Sequence, residues 1–202
     1  GGSNGGLLVG AAFTQRPELF NAVVCSVPLL DMRRYHRLLA GASWMAEFGD
    51  PDDPQQWAFI GQYSPYQNLR PGVRYPEVLF TTSTRDDRVH PGHARKMAAR
   101  MLALGHPVLY YENIEGGHGG AADNRQRAHV QALEMSYLWY RLGGPRMTQT
   151  DALPAEARAV LEYWFGAPGT PEHGTQRPLW FDKNEAVDRG IAQRFGALIE
   201  QA

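Results

Sequence analysis

Three short segments hold residues whose types and spacing could make an activated nucleophile. Gly1-Gly2-Ser3-Asn4-Gly5-Gly6 opens the chain and runs into an apolar stretch. From Gly1 to Gly5 it fits the G-x-S-x-G pattern, a serine on a sharp strand-to-helix turn. Glycines two residues to either side of Ser3 let neighbouring segments approach with no Cβ in the way. The helix that follows would point its positive end at the site, and the Asn4 backbone N–H would donate to a developing oxyanion. The same residues also read as a flexible Gly/Ser linker. Further on, Asp86 follows the apolar run Glu77 to Thr82, and the carboxyl end of a parallel strand is where α/β sheets carry functional groups. Asp86 would accept an imidazole N–H, fix the tautomer and stabilise the imidazolium; a turn or helix cap is the plain alternative for Asp86-Asp87. Glu115-Gly116-Gly117-His118-Gly119-Gly120 then sets a histidine between glycine pairs. His118 there would take the Ser3 proton and return it to a leaving group, the alternative being a solvated histidine on a surface loop. The order Ser, Asp, His is that of α/β-hydrolases. Together the three segments point to acyl transfer through a serine.

The remaining reactive residues are weaker candidates. Cys25 lies in the apolar run Ala22-Val23-Val24-Cys25 and reads as a buried structural thiol. His90 and His93 are three apart, but no third ligand stands at sensible spacing, so no metal is expected. No cofactor is implied.

Several elements must position these residues. Leu7 to Phe13 reads as a helix, Ala22 to Val27 as a short buried strand, and Asp31 to Phe48 as mixed, largely helical chain. Residues 49–76, rich in Pro, Gly, Asp and Gln, suggest an irregular excursion. Glu77 to Thr82 is a second strand and Pro107 to Ile114 a third. Between them His93 to Leu104 makes a helix, with Met97, Met101 and Leu104 near one face and Gly105 as its stop. Arg125 to Leu142 forms a long amphipathic helix through Val130, Leu133, Tyr137, Leu138 and Arg141, ended by Gly143-Gly144-Pro145. This alternation predicts an α/β fold, a parallel sheet with helices on both faces. Such sheets usually hold more than three strands. The chain starts with Gly rather than Met, so the expectation is a cut through a longer protein, with further strands before residue 1.

A second unit is expected after residue 145: a polar linker over 146–153, then a partial all-helical domain over 154–202. Val160, Leu161, Trp164 and Phe165 share one helix, and Val187, Ile191, Phe195 and Leu198 another. Two such helices cannot bury their apolar faces alone, so this tail is expected to dock on another chain or on sequence outside this one.

Composition limits the function classes. The 202 residues carry 20 basic and 21 acidic side chains, a net charge of −1; a non-specific nucleic-acid binder would need a basic excess. No apolar run approaches the ~20 residues that span a bilayer. A single cysteine forms no internal disulfide, so the fold needs no oxidising compartment and a cytoplasmic location is expected.

Around these motifs the chain resembles the prolyl oligopeptidase family. The resemblance runs over about residues 1–143, through Gly1 to Ala12, Gln15 to Phe20, Asp31-Met32, Tyr63-Ser64-Pro65, Asp86-Asp87-Arg88-Val89 and Gly116-Gly117-His118-Gly119. It implies a catalytic α/β-hydrolase domain, truncated at its N-terminal side, over residues 1–145. It implies Ser3 as nucleophile, Asp86 as the triad acid and His118 as the base. Trp44 resembles a tryptophan that stacks on the substrate proline ring, and Arg88 an arginine that hydrogen-bonds a substrate carbonyl. Asn4, Leu29, Phe48 and Val89 resemble the lining of a proline pocket, although Trp44 and Phe48 also read as core. The implied activity is hydrolysis of short proline-containing oligopeptides on the carboxyl side of proline through an acyl-enzyme. A related acylaminoacyl or dipeptidyl peptidase, an esterase, or an inactive fusion fragment with a partner-binding tail are the alternatives. The family's β-propeller and the tyrosine-bearing loop that supplies a second oxyanion donor are not in this sequence, so the chain alone is expected to be weakly active or inactive. Residues 154–202 resemble the opening of a bacterial all-helical family of tetratricopeptide-like shape.

Overall fold

The structure is a computed structural model that describes residues 1–142. Three strands, β1 (Val23–Ser26), β2 (Val78–Ser83) and β3 (Val108–Asn113), lie side by side in that order and run parallel. Val24 pairs with Leu79, and Leu79 with Leu109. The central strand β2 is buried at all six positions, which is why its sequence is continuously apolar before its threonines: a strand covered on both faces has no solvent side to alternate with. Gly1–Ser3 extend the ladder past β1. Gly2 bridges Ser26 in parallel, the Gly1 amine donates to Val24 O at 2.8 Å, and Ser26 N–H donates to Gly1 O at 3.0 Å.

Helices cover both faces. Successive strand residues point to opposite sides. Cys25 Sγ donates to Gly6 O at 3.4 Å in helix α1 (Asn4–Gln15), whereas its neighbour Ser26 reaches the helix after β3 on the other face. In α1 a Cβ on Gly6 would lie 2.6 Å from Pro28 Cβ and 2.8 Å from Pro28 Cα, so only glycine lets the helix sit against the segment that leaves β1.

The connection from β1 to β2 departs from the sequence expectation in its second part. Its first part, 31–48, is the expected mixture of helical pieces: 3-10 turns at Tyr35–Arg37 and Leu39–Trp44 and a short helix α2 (Met45–Phe48). Leu39 has φ +48°, which no α-helix accommodates, so the chain turns there. Residues 49–76, expected to be irregular, contain helices α3 (Pro54–Tyr63) and α4 (Pro65–Asn68). Their prolines start them instead of breaking them: proline suits the first helical position, and Asp53 caps α3 by accepting the Gln55 N–H at 2.8 Å.

Helix α5 (Gly92–Ala103) crosses from β2 to β3 and buries His93, Ala94, Met97, Ala98 and Met101. Helix α6 (Asn124–Arg141) follows β3. Asp123 caps it through the Gln126 N–H at 2.8 Å, and Leu133 and Tyr137 are its buried residues. Tyr137 Oη donates to Glu77 O at 2.6 Å and accepts from Val23 N–H at 3.3 Å, joining α6 to the starts of β1 and β2. The expected helix stop at 143–145, the linker at 146–153 and the helices within 154–202 lie outside the described residues.

The segment leaving β1 is held by a buried polar cluster. Asp31, fully buried, accepts from Lys96 Nζ at 2.6 Å and Gln67 Nε2 at 2.7 Å. Burial alone would raise its carboxyl pKa, but those two bonds outweigh it and hold the group below its ordinary value. His93 Nδ1 accepts the amides of Leu30 and Asp31 at 3.3 and 3.0 Å, and burial pushes this imidazole down to about 4. Beside the cluster lies an apolar core of Leu7, Leu29, Met32, Tyr35, Ile60 and Val89.

Candidate active site

Ser3 sits between the Gly2 rung and the first turn of α1, with φ 55° and ψ −120°. Its N–H donates to Ser26 O at 2.9 Å, and its carbonyl accepts from Gly6 and Leu7. Serine is a favoured helix cap, yet the Ser3 hydroxyl makes no capping bond; it is left for another partner. A Cβ on Gly1 would lie 2.5 Å from Gly5 O, so the two glycines of the motif touch each other across the turn. The Asn4 N–H opens α1 and has no acceptor one turn back.

His118 is brought to this serine by the loop between β3 and α6. Asn113, the last residue of β3, turns that loop by accepting the amides of Glu115 and Gly116 at 2.9 and 3.2 Å. Its own amide donates to Gln126 Oε1 at 2.8 Å, and Gln126 Nε2 donates to Glu115 Oε2 at 2.6 Å. The loop is thereby tied to the strand before it and the helix after it. His118 Nε2 lies 3.1 Å from Ser3 Oγ, and His118 Nδ1 lies 3.0 and 2.9 Å from the two carboxylate oxygens of Asp86. The Asp86 side chain is fully buried, while Asp87 beside it is exposed. Asp86 Oδ1 also accepts the amides of Arg88 and Val89, both at 2.9 Å. Three side chains separated by up to 115 residues thus form one line from hydroxyl to imidazole to carboxylate.

The residues singled out for substrate contact fall near one another. Leu29 and Val89 belong to the apolar core, each 2 % exposed, and Trp44 and Phe48 pack against it, only partly buried. Phe48 meets Tyr35 edge-on with ring centroids 5.7 Å apart. Arg88 is exposed, one residue from Val89 and two from Asp86, and its carbonyl accepts the Ala40 N–H at 3.4 Å, linking it to the Trp44 segment. Asn4 is exposed at the start of α1, and Leu7 of the same helix joins the core.

His90 and His93 both have their Nδ1 atoms engaged by backbone amides. His90 Nδ1 accepts the Gly92 amide at 2.9 Å, and His93 Nδ1 is taken by the two amides above. His36, Asp50 and Asp52 bring ligand-capable atoms within 4.8 Å of one another. The Arg37 guanidinium bonds Asp52 at 2.7 Å and His36 Nε2 at 3.2 Å, so a side-chain cation already engages two of those three groups. Cys25 is buried and burial pushes its thiol up to about 12, which keeps it an unreactive thiol. Sequence reasoning does not single out Asn113 or Gln126; an asparagine one residue before the Ile114-Glu115-Gly116 turn is the signal that could have found the first.

With this geometry in view, the similarities to known proteins are specific. The family model described as "Prolyl oligopeptidase family" matches residues 1–145. An uncharacterized peptidase of Sinorhizobium fredii is 58% identical over 142 residues, covering 70% of this chain and 20% of the relative. A prolyl endopeptidase of Elizabethkingia miricola is 37% identical over 147 residues, covering 71% of this chain and 21% of the relative. Among solved structures, one from an analysis of two prolyl endopeptidases superposes with a TM-score of 0.63 at 46% identity, over 70% of this chain and 21% of the other. A post-proline cleaving enzyme from Rickettsia typhi gives 0.60 at 47% identity, over 63% and 19%. The chain spans about a fifth of the length of these relatives. On the match over residues 1–145, with its parallel sheet and helices arranged as part of an α/β-hydrolase, this chain belongs to the prolyl oligopeptidase family.

Proposed function

We propose that this chain carries the nucleophile, base and acid of a serine peptidase that cleaves short peptides on the carboxyl side of proline. The observation that carries the reading is the continuous contact Ser3 Oγ, His118 Nε2, His118 Nδ1, Asp86, with every step at 2.9–3.1 Å. Ser3 Oγ attacks the carbonyl carbon of the proline residue while His118 Nε2 takes its proton. The C–N bond then breaks as His118 delivers that proton to the leaving amine, giving an acyl-enzyme. Water, deprotonated by the same imidazole, releases the acid and restores Ser3. Asp86 accepts the hydrogen bond from Nδ1–H throughout, remains ionised, and stabilises the imidazolium. The Asn4 N–H, at the positive end of α1, donates to the oxyanion.

For the substrate we assign the face of Trp44 to the proline ring, since a rigid apolar ring stacks well on an aromatic surface. Phe48 lines the pocket beside it, with Leu29 and Val89 as its floor. Arg88 is assigned to a substrate carbonyl. No metal or cofactor enters this scheme. We further read the net charge of −1 as arguing against nucleic-acid partners, and the lone buried cysteine as suiting a cytoplasmic location. No described helix is long and apolar enough to cross a membrane. The amphipathic spacing over 154–202 supports a tetratricopeptide-like helical start that docks on a partner chain or on sequence outside this one.

A fluorophosphonate probe tests the chemistry, and a chromogenic Gly-Pro substrate the specificity. Labelling at Ser3 that is lost in His118→Ala supports the peptidase reading. A folded chain that takes no label refutes it for this chain and favours a fragment that only binds a partner. Labelling with hydrolysis of esters or acylated amino acids in preference to Gly-Pro overturns the proline assignment alone.

A further inference from the structure

Besides Leu39, two non-glycine residues among those described have left-handed backbone, and both border the site: Ser3 at φ 55° and Val27 at φ 40°. For a β-branched residue such as Val27 this is a real outlier, held only where its surroundings over-determine it. Each is tied down by its amide to a strand end. Ser3 N–H donates to Ser26 O at 2.9 Å, and Val27 N–H donates to Thr81 O at 2.7 Å. Ser26 and Thr81 are themselves register partners in β1 and β2.

The side chains of those same two acceptors converge on one atom. Ser26 Oγ donates to Glu134 Oε1 at 2.7 Å, and Thr81 Oγ1 donates to the same oxygen at 2.9 Å. Glu134 comes from α6, 53 residues beyond Thr81. It lines a cavity of about 320 Å³ that also borders His118. One carboxylate oxygen therefore ties together the two residues whose carbonyls hold the two strained amides. Two hydroxyls from neighbouring strands held at one acceptor fix both strand ends at a single point.

We propose that Glu134 is a positioning residue for the nucleophile: through Ser26 it fixes the Ser3 amide, and through Thr81 it fixes Val27, keeping the strained turn that aims Ser3 Oγ at His118. Glu134 does not touch the reacting atoms. Its function is to accept two hydroxyls at one point, which a carboxamide oxygen also does. The proposal rests on the peptidase reading for its effect on rate, but the clamp itself is measurable without activity.

The test compares Glu134→Ala and Glu134→Gln in the 202-residue chain. It measures the second-order rate of Ser3 labelling by a fluorophosphonate, and the hydrogen-exchange rates of the Ser3 and Val27 amides. A misplacement of about 1 Å can cost a hundredfold, so Glu134→Ala is expected to label about ten to a hundred times more slowly. Glu134→Gln, keeping the acceptor without the charge, is expected to stay within about threefold of the parent. Both amides should exchange faster in Glu134→Ala and at parental rates in Glu134→Gln. Labelling of Glu134→Ala at the parental rate overturns the proposal, as does Glu134→Gln falling as far as Glu134→Ala, which would make charge rather than position the cause. If the parent takes no label, the peptidase reading fails and exchange alone judges the clamp: unchanged exchange in Glu134→Ala overturns it. If Glu134→Ala does not fold, each arm is cut singly. Ser26→Ala should then speed exchange at Ser3 more than at Val27, and Thr81→Val the reverse; equal effects of the two overturn the proposal.

Discussion

Replacing Asp86 by asparagine separates geometry from chemistry at this site. The carboxamide of Asp86→Asn would keep an oxygen for the Arg88 and Val89 amides that Asp86 Oδ1 now accepts at 2.9 Å, so the turn survives. Towards His118 it would present an NH2 group where a carboxylate now stands 2.9 Å from Nδ1. The retained oxygen still stands 3.0 Å from Nδ1, but the NH2 group at the nearer position favours the tautomer with an unprotonated Nδ1 and an N–H towards Ser3, and in that tautomer the imidazole cannot take the hydroxyl proton. Such a change costs about 10⁴ in turnover, or about 5 kcal/mol of barrier. Asp86→Ala makes the opposite test. It strands two amides and an imidazole N–H around a fully buried position, and at about 1–3 kcal/mol per unsatisfied group the two amides alone cost between about 2 and 6 kcal/mol of stability. The assay is the fluorophosphonate labelling rate at Ser3 together with a urea unfolding midpoint. Asp86→Asn should lose the rate and keep most of the midpoint, whereas Asp86→Ala should lose both. An Asp86→Asn variant that is folded and labels within about tenfold of the parent, against the 10⁴ expected, would refute the role given to Asp86.

Two further predictions concern the scaffold. The His93 imidazole, at about 4 in the fold, titrates near 6.5 once unfolded, so between those values only the unfolded chain gains the proton and stability falls as pH falls. The loss from about pH 7 to 4 should be on the order of 3 kcal/mol. Asp31, held below its ordinary carboxyl value by Lys96 and Gln67, works in the same direction at still lower pH. Urea midpoints at about pH 7, 5.5 and 4.5 read this directly, and a midpoint unchanged across that range contradicts it. Gly6→Val would place a Cβ 2.6 Å from Pro28 Cβ, and should lower stability by about 1–3 kcal/mol through overpacking while slowing Ser3 labelling as α1 is pushed outward; an unaltered midpoint would show that the Pro28 segment yields freely.

The local pattern of residues was enough for the three strands, for α1, α5 and α6, and for the choice of Ser3, Asp86 and His118 as candidates. Strand and helix periods and glycine spacing are written in neighbouring residues, and the order of the three functional segments is visible along the chain. It was misleading at Pro54 and Pro65, where prolines read as breakers begin helices. It did not reveal Asn113, Gln126, Ser26, Thr81 or Glu134, whose types are ordinary and whose partners lie up to 108 residues away. Leu29, Trp44, Phe48 and Val89 could be named from resemblance, but only packing shows that they share one cluster. Sequence by itself determined which groups could react and which segments would be strand or helix, because those depend on side-chain type and short-range period. Tertiary structure alone decided that imidazole, hydroxyl and carboxylate meet, and that Asp86 rather than Asp87 is the buried acid. Hydrogen-bond contact is a matter of tenths of an ångström between chain segments that have no local means of finding one another until the sheet brings their ends together.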